Sequence, residues 1–314
     1  MNAPLQFNDL ENAVLPARPL HLAIGMFDGV HLGHRAVVGA TVAAARQSQG
    51  LPAVLTFWPH PSVFFQAALP TQLLMSPADK IHALASLGIE AIITLKFSQE
   101  FALIPAEEFL PYLQQRLPWL SGVYVGDNWR FGRNRAGDSA LLVRESGRLG
   151  LAVVSVPRVN AAGGSVSSTR IRALLQAGEI ITANELLGTP YTAHGLVTSG
   201  RQLGRKLGFP TLNVAWSPDL QPRFGVYAVR LSGAKSTTSL PGVANYGLRP
   251  TVETATEPRL EVHVLGHCPY SAGDEVRVEW ASFIRPEMTF AGVEELAGQI
   301  ARDCATVAAD FSLR

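Results

Sequence analysis

The segment Gly25–His34, GMFDGVHLGH, places His31 and His34 three residues apart among Gly25, Gly29 and Gly33. The apolar run HLAIGMF leads into it and the Ala-rich helical pattern LGHRAVVGATVAAARQSQG leads out. Glycines let backbone approach a ligand, and a helix start offers free N–H groups and the positive end of a dipole. Imidazole donors there can steady charge growing on a leaving pyrophosphate. Either histidine alone fits an exposed residue beside a tight turn. The whole block, at the carboxyl end of a strand, fits a phosphate site. No GxxxxGK[ST] loop occurs, so this is not a P-loop.

Two further segments carry the same kind of chemistry. VSSTRIRALLQAG sets Ser167, Ser168 and Thr169 before a helical pattern, with Arg170 and Arg172 in its first turn. An ordinary N-cap explains Ser168 or Thr169 equally well. Arginine in a first turn opposes the helix dipole, however, and a nearby anion relieves that conflict. SGRQLGRKLGFPTLNV, residues 199–214, is a basic loop holding Gly200, Gly204 and Gly208 that runs into a strand. Its backbone N–H groups could wrap phosphates. Thr211 and Asn213 alternate, so both face one side and offer neutral oxygens of the kind Mg²⁺ accepts beside nucleotide phosphates. A hairpin loop with a solvated face fits the segment equally well.

In RLEVHVL, residues 259–265, Val262 and Val264 point one way and Glu261 and His263 the other. Glu261 is either a general base for a hydroxyl or an exposed strand residue. Asn245, Arg249 and Arg285 lie beside turns.

These groups need a scaffold. The 314 residues suffice for two domains, and 47% hydrophobic with 16% charged residues is globular. From about residue 20 to 185, strand-like runs (HLAIGMF, PAVLTF, AIITLKF, GVYVG, LAVVSVP) alternate with helical patterns. SPADKIHALASLG carries Ser76 as N-cap, Pro77 at the first helical position and Gly88 as a stop. Pro111 is a blemish in the helical PAEEFLPYLQQRL. Such alternation predicts a doubly wound parallel α/β sheet. After about residue 190, HGLVTSG, TLNVAW, GVYAVRLSG, GVANYG, RLEVHVLG and EVRVEWASF predict an antiparallel barrel or sandwich. GVEELAGQIARDCATVAADF predicts a closing helix. The boundary is expected within residues 186–192.

The net charge of +1 points away from nucleic acid. The two cysteines, Cys268 and Cys304, point away from a disulfide framework or a zinc cluster. No pattern reads as a signal peptide or membrane span, so a cytoplasmic monomer or weak oligomer is expected.

With TFWPHP (residues 56–61), GDNWRFGRNRAGD (126–138) and SPADKIHAL, the first two blocks resemble the adenylyltransferase half of bacterial bifunctional riboflavin kinase/FAD synthetases, over residues 22–185. GRKLGFPTLN, FGVYAV, GVANYGLRPTV, LEVHVL and IRPEMTF resemble its riboflavin kinase module over about 190–310. The resemblance implies a Rossmann-like nucleotidyltransferase domain at 1–187 and an antiparallel β-barrel kinase domain with a C-terminal helix at 188–314. It implies phosphorylation of riboflavin to FMN by ATP, then adenylylation of FMN to FAD with release of pyrophosphate.

By matching position, His31 and His34 would hold ATP phosphates, Asn128 would serve the flavin and phosphate site, and Ser167, Ser168, Thr169 and Arg172 would hold triphosphate. Gly25, Phe27, Asp28 and Gly29 would shape the nucleotide pocket. Thr211 and Asn213 would bind Mg²⁺ with phosphates, and Glu261 would be the base for the ribityl 5′-hydroxyl. Gly200, Gly204 and Gly208 would line the kinase phosphate loop, and Arg285 would stand near the flavin-side flap. Four places depart from the family pattern. Trp58 replaces a common acidic residue, Trp129 a Phe and Leu212 an Ala, and GHCPYSAGDEV lacks the usual acidic-Leu-Tyr-Gly texture. Rival readings are a relative acting on another phosphate ester and a non-catalytic regulatory derivative. The second would be expected to lose Glu261, Thr211, Asn213 or the histidines, and this chain keeps them.

Overall fold

The computed structural model describes residues 3–65, 70–199, 204, 208–248 and 258–312. Gly200 and Arg249 therefore lie outside the described residues. The chain forms two compact units, Met1–Ser168 and Thr169–Arg314.

The first unit is built on a six-stranded sheet of β1 (Leu5–Phe7), β2 (Leu20–Ile24), β3 (Leu51–Phe57), β4 (Ala91–Leu95), β5 (Leu120–Gly126) and β6 (Ala152–Val156). Every pairing is parallel, in the order β1-β4-β3-β2-β5-β6. Along β2, Leu22 and Ile24 enter one core and Ala23 the other. β3 and β5 divide the same way, at Leu55 against Val54 and at Val123 against Tyr124. Period-two side chains that are apolar on both faces demand helices on both sides. One face is covered by α1 (Leu32–Gln47), with Val37, Val38 and Val42, and by Leu84 of the helix Pro77–Ser86. The other is covered by α5 (Phe109–Arg116) and α6 (Ser139–Leu149); α2 (Pro61–Phe64), α3 (Pro77–Ser86) and α4 (Gln99–Ala102) fall between α1 and α5 along the chain. This is the expected doubly wound arrangement.

The Pro77–Ser86 helix begins as its sequence requires. Ser76 accepts from the Asp79 N–H at 3.1 Å, and Gly88 takes φ +96 beyond the end. Pro111 is the third residue of its helix, inside the first turn, where its missing N–H leaves no helical bond unmade. The edge strand β1 and the Ser139–Leu149 helix are additions to the sequence reading.

After the short hairpin β7 (Asn160–Ala161) and β8 (Gly164–Ser165), helix α7 spans Ser168–Ala177 and helix α8 spans Ile180–Leu187. The second unit then closes a six-stranded barrel. Its strands are β9 (Tyr191–Thr198), β10 (Leu212–Ala215), β11 (Gly225–Gly233), β12 (Ser236–Leu248), β13 (Pro258–Val264) and β14 (Glu275–Arg285). All pairings are antiparallel, and closure leaves no edge strand. The barrel settles the choice between barrel and sandwich. Trp280, fully buried, fills its interior and meets Tyr227 at 4.4 Å between ring centres, edge to face. The closing helix, Val293–Ser312, lays Val307 on the outer face against Val226, Ala228 and Val243.

α7 and α8 pack on this barrel. Leu175 O accepts from the Arg223 N–H at 3.0 Å, and Asn184 bonds both Tyr191 N and Trp280 O at 2.7 Å. The compact second unit thus begins at Thr169, ahead of the change in sequence texture at 186–192.

Candidate active sites

In the first sheet the chain leaves β2 for β3 and β4 on one side, then crosses to β5 on the other. The carboxyl ends of β2 and β5 therefore flank a topological switch point, where open α/β sheets bind ligands. The loops leaving those two ends are residues 25–31 and 127–138.

The first loop is wound tightly. Phe27, Gly29 and Val30 have φ of +51, +82 and +39. For a phenylalanine and a β-branched valine this is strained backbone, of order 1–3 kcal/mol each. Burial holds it, since Phe27 and Val30 are each 1% exposed. Asp28 fastens the loop twice: its Oδ1 accepts from Leu74 N at 2.9 Å, and its carbonyl accepts from Ser168 Oγ at 3.0 Å. Ser167 and Ser168 are thereby brought to the histidine turn. Thr169, exposed, and Arg172, half-buried, lie further along α7 in the second unit.

His31 caps α1, its Nδ1 accepting from the His34 N–H at 3.3 Å. The two rings stack at 3.6 Å, 14° from parallel, and Phe27 meets His34 edge-on at 5.3 Å. A Cβ on Gly33 would come within 3.1 Å of the His31 ring, so a side chain there would press on the imidazole. His34 is half-buried, yet its Nδ1 is shut off from solvent and has no hydrogen-bond partner among the described residues. Burial, and then the charges of His31 and Lys80, hold its pKa well below the ordinary imidazole value. A buried polar atom without a partner is rare in a folded protein.

Lys80 is the group the sequence reading passed over. It sits on the Pro77–Ser86 helix, 8% exposed, and reaches Thr56 Oγ1 at 3.1 Å and Met26 O at 3.4 Å. Thr56 also donates to Met26 O at 3.1 Å. Desolvation brings the Lys80 pKa down to about 8, against the pull of Asp28. Asp28, Trp58, His60 and Lys80 line one small pocket with Met26 and Met75. Trp58, one of the departures from the family pattern, is a wall of that pocket, 44% exposed.

On the β5 side, Asn128 is exposed, and its Oδ1 folds back to 3.4 Å from where a Cβ on Gly126 would stand. Trp129 stacks on Phe131 at 4.7 Å, so the Phe-to-Trp departure keeps an aromatic pair. A Cβ on Gly137 would strike the Phe131 ring at 2.7 Å.

In the barrel, strand pairing aligns the second set. Asn213 of β10 is the register partner of Glu261 on β13, and Glu261 is the partner of Asn245 on β12. The level continues through Val226 to Arg285 on β14, and on the other side to Thr198 of β9. Side chains paired this way share a face. Val262 and Val264 fill the interior, so Glu261 lies on the outer face. Thr211 immediately precedes β10, and a Cβ on Gly204 would lie 3.3 Å from its Oγ1. Gly208 takes φ +85 in the same loop. Leu212 pairs with Val262, on the face away from Asn213, so the Ala-to-Leu departure leaves that polar level alone. The Arg285 guanidinium is taken up by Asp303 of the closing helix, with Nε at 3.1 Å and Nη2 at 2.8 Å from its carboxylate.

An α/β sheet with a histidine turn at its switch point, joined to a six-stranded barrel whose outer face sets one carboxylate between two amides, defines a two-domain nucleotide-handling enzyme. The family model described as FAD synthetase matches residues 16–170, and the one described as riboflavin kinase matches residues 187–311. The bifunctional riboflavin kinase/FMN adenylyltransferase of Escherichia coli is 36% identical over 292 residues, 93% of each chain. That of Haemophilus influenzae is 35% identical over 303 residues, covering 96% of this chain and 98% of its own. That of Bacillus subtilis is 33% identical over 287 residues, covering 90% and 89%. The chain belongs to the bifunctional riboflavin kinase/FMN adenylyltransferase family. A crystal structure of a Streptococcus pneumoniae protein named for macrolide efflux superposes with a TM-score of 0.86 at 26% identity, over 98% of this chain and 99% of that one. Among the described residues here, no helix is long and apolar enough to cross a membrane.

Proposed function

We infer that this chain makes FAD from riboflavin in two ATP-dependent steps, one in each unit. The observation carrying the reading is that both sets of polar groups occur in one chain, the first at the switch point of an open sheet and the second at one level of a closed barrel. The turn holding His31 and His34 lies at the switch point, and Asn213 stands beside Glu261 on neighbouring barrel strands. Functional domains at 1–187 and 188–314 are proposed, supported by the limits of the two family matches.

In the kinase step, Glu261 takes the proton of the ribityl 5′-hydroxyl as its oxygen attacks the γ-phosphorus of ATP, leaving ADP. The loop with Gly200, Gly204 and Gly208 is assigned to the nucleotide phosphates. Thr211 and Asn213 are assigned to Mg²⁺, which offsets phosphate charge when bound. The donor set suits that ion, because Mg²⁺ keeps waters and substrate oxygens and needs only one or two protein oxygens. Arg285 serves this site by holding the closing helix through Asp303.

In the second step, an FMN phosphate oxygen attacks the ATP α-phosphorus in line and pyrophosphate leaves. No protein nucleophile is required. His31, His34, Ser167, Ser168, Thr169 and Arg172 are assigned to the phosphates, with Asn128 on the flavin-phosphate side. Gly25, Phe27, Asp28 and Gly29 give the loop its shape. Positioning and fixed donors carry the rate. With ATP as co-substrate, the cytoplasm is the proposed compartment, and both sites are proposed within a single chain, as a monomer or weak oligomer.

The deciding assay incubates the pure protein with riboflavin, ATP and Mg²⁺ and separates the products. FMN and FAD together support the reading, and the absence of both overturns it.

A further inference from the structure

We propose that His263 is a positioning residue for the kinase step, a clamp fixing the Pro210–Thr211 segment to the strand that carries Glu261. The inference rests on the assignment of Glu261, Thr211 and Asn213 given above.

The paired stretch of β10 with β13 begins at Leu212, opposite Val262. Pro210 has no N–H to offer a ladder, so the backbone just ahead of β10 needs another fastening. His263 supplies it. It is two residues beyond Glu261 on β13 and shares its face. Its Nδ1 lies 2.8 Å from the Pro210 carbonyl oxygen, which can only accept, so Nδ1 donates. Phe209 meets the His263 ring edge-on at 5.5 Å. One side chain thus grips both residues preceding Thr211.

The grip reaches into the glycine loop. The Phe209 N–H donates to Gly204 O at 2.8 Å, and any Cβ on Gly204 would collide with the Phe209 carbonyl. The order of attachment is therefore Glu261 strand, His263, Phe209–Pro210, then Gly204 and Thr211. Backbone pairing fixes Asn213 against Glu261, and His263 fixes Thr211. A phosphate-holding oxygen displaced by about 1 Å from its base can cost on the order of 10²-fold in rate. A single imidazole sets that spacing here.

The test uses the full chain, whose FMN adenylylation of added FMN is an internal control for folding. His263→Phe keeps a ring against Phe209 but removes the donor. His263→Asn restores an N–H close to the Nδ1 position. His263→Phe is expected to raise the KM for MgATP in riboflavin phosphorylation about tenfold and to lower kcat, with FAD formation unchanged. His263→Asn is expected to recover to within about threefold of the parent, since the donor is what matters. Three results would overturn the proposal. His263→Phe could keep parental KM and kcat. His263→Asn could fall as far as His263→Phe. Or both could lose thermal stability while the folded enzyme keeps its KM, which is the mark of packing alone. Glu261→Gln is assayed beside them: full kinase activity in that variant would remove the site assignment itself, and the clamp with it.

Discussion

Asn213 and Glu261 are register partners across β10 and β13, so an amide and a carboxylate separated by 47 residues of chain stand side by side on the outer face of the barrel. The first prediction concerns that pair. Glu261→Gln keeps shape and removes the base. It should lower FMN formation from riboflavin by about 10²–10⁴-fold, while added FMN still becomes FAD. Chromatographic separation of the flavins reads both steps in one sample. Equal loss of both in a folded variant would contradict a one-step role.

His34→Ala should act in the opposite sense. Removing the ring takes away the donor at the α1 start and should lower FAD formation by about 10²–10³-fold, leaving FMN formation intact. The same flavin separation checks it. In the parent protein, the imidazole ¹⁵N signals of His34 should remain those of a neutral ring at pH 6.5, where an ordinary histidine is half charged.

Lys80 should leave a signature in stability against pH. The unfolded chain binds this proton below about 10.5 and the folded chain only below about 8. The buried charge therefore costs nothing above the upper value, and its full penalty is present below the lower one. Relative to Lys80→Met, the parent should lose about 3 kcal/mol as pH falls from 10.5 to 8 and no more below that. Denaturant unfolding of the two proteins across that window gives the difference, and a flat difference would mean that Lys80 is solvated in the folded state.

Arg285→Met should destabilise the second unit by about 3–5 kcal/mol, because it strands the Asp303 carboxylate, only 4% exposed. Calorimetry should show one transition lowered, with FAD formation from added FMN retained. An unchanged transition accompanied by a raised KM for riboflavin would instead assign the guanidinium directly to substrate.

Much of this was legible in the residues. Ser76, Pro77 and Gly88 announce a helix through local chemistry, and the structure has it at Pro77–Ser86. The six barrel strands are visible as short runs punctuated by Gly and Pro, several of them alternating with period two. The helix Ser139–Leu149 was equally capped, by Asp138 and by Gly150 at φ +67, but its Asp was absorbed into the preceding glycine-rich loop. Lys80 and His263 had no such signal. Lys80 acts where a helix crosses the ends of β2 and β3, and His263 acts 53 residues from Pro210. Contacts of that range exist only once the sheet and the barrel have closed. The start of the second compact unit was hidden for a related reason: α7 looks like one more crossover helix, and only its bond to Arg223 shows where its far end belongs.

A nitrogen can accept a backbone N–H only through a lone pair. Because His31 Nδ1 caps α1 by accepting from His34, the proton of its neutral ring resides on Nε2. The fold therefore selects one tautomer before any nucleotide arrives. In the site proposed above, the nitrogen assigned to a phosphate oxygen is a donor from the outset, and the cap that starts the helix also sets the polarity of the imidazole.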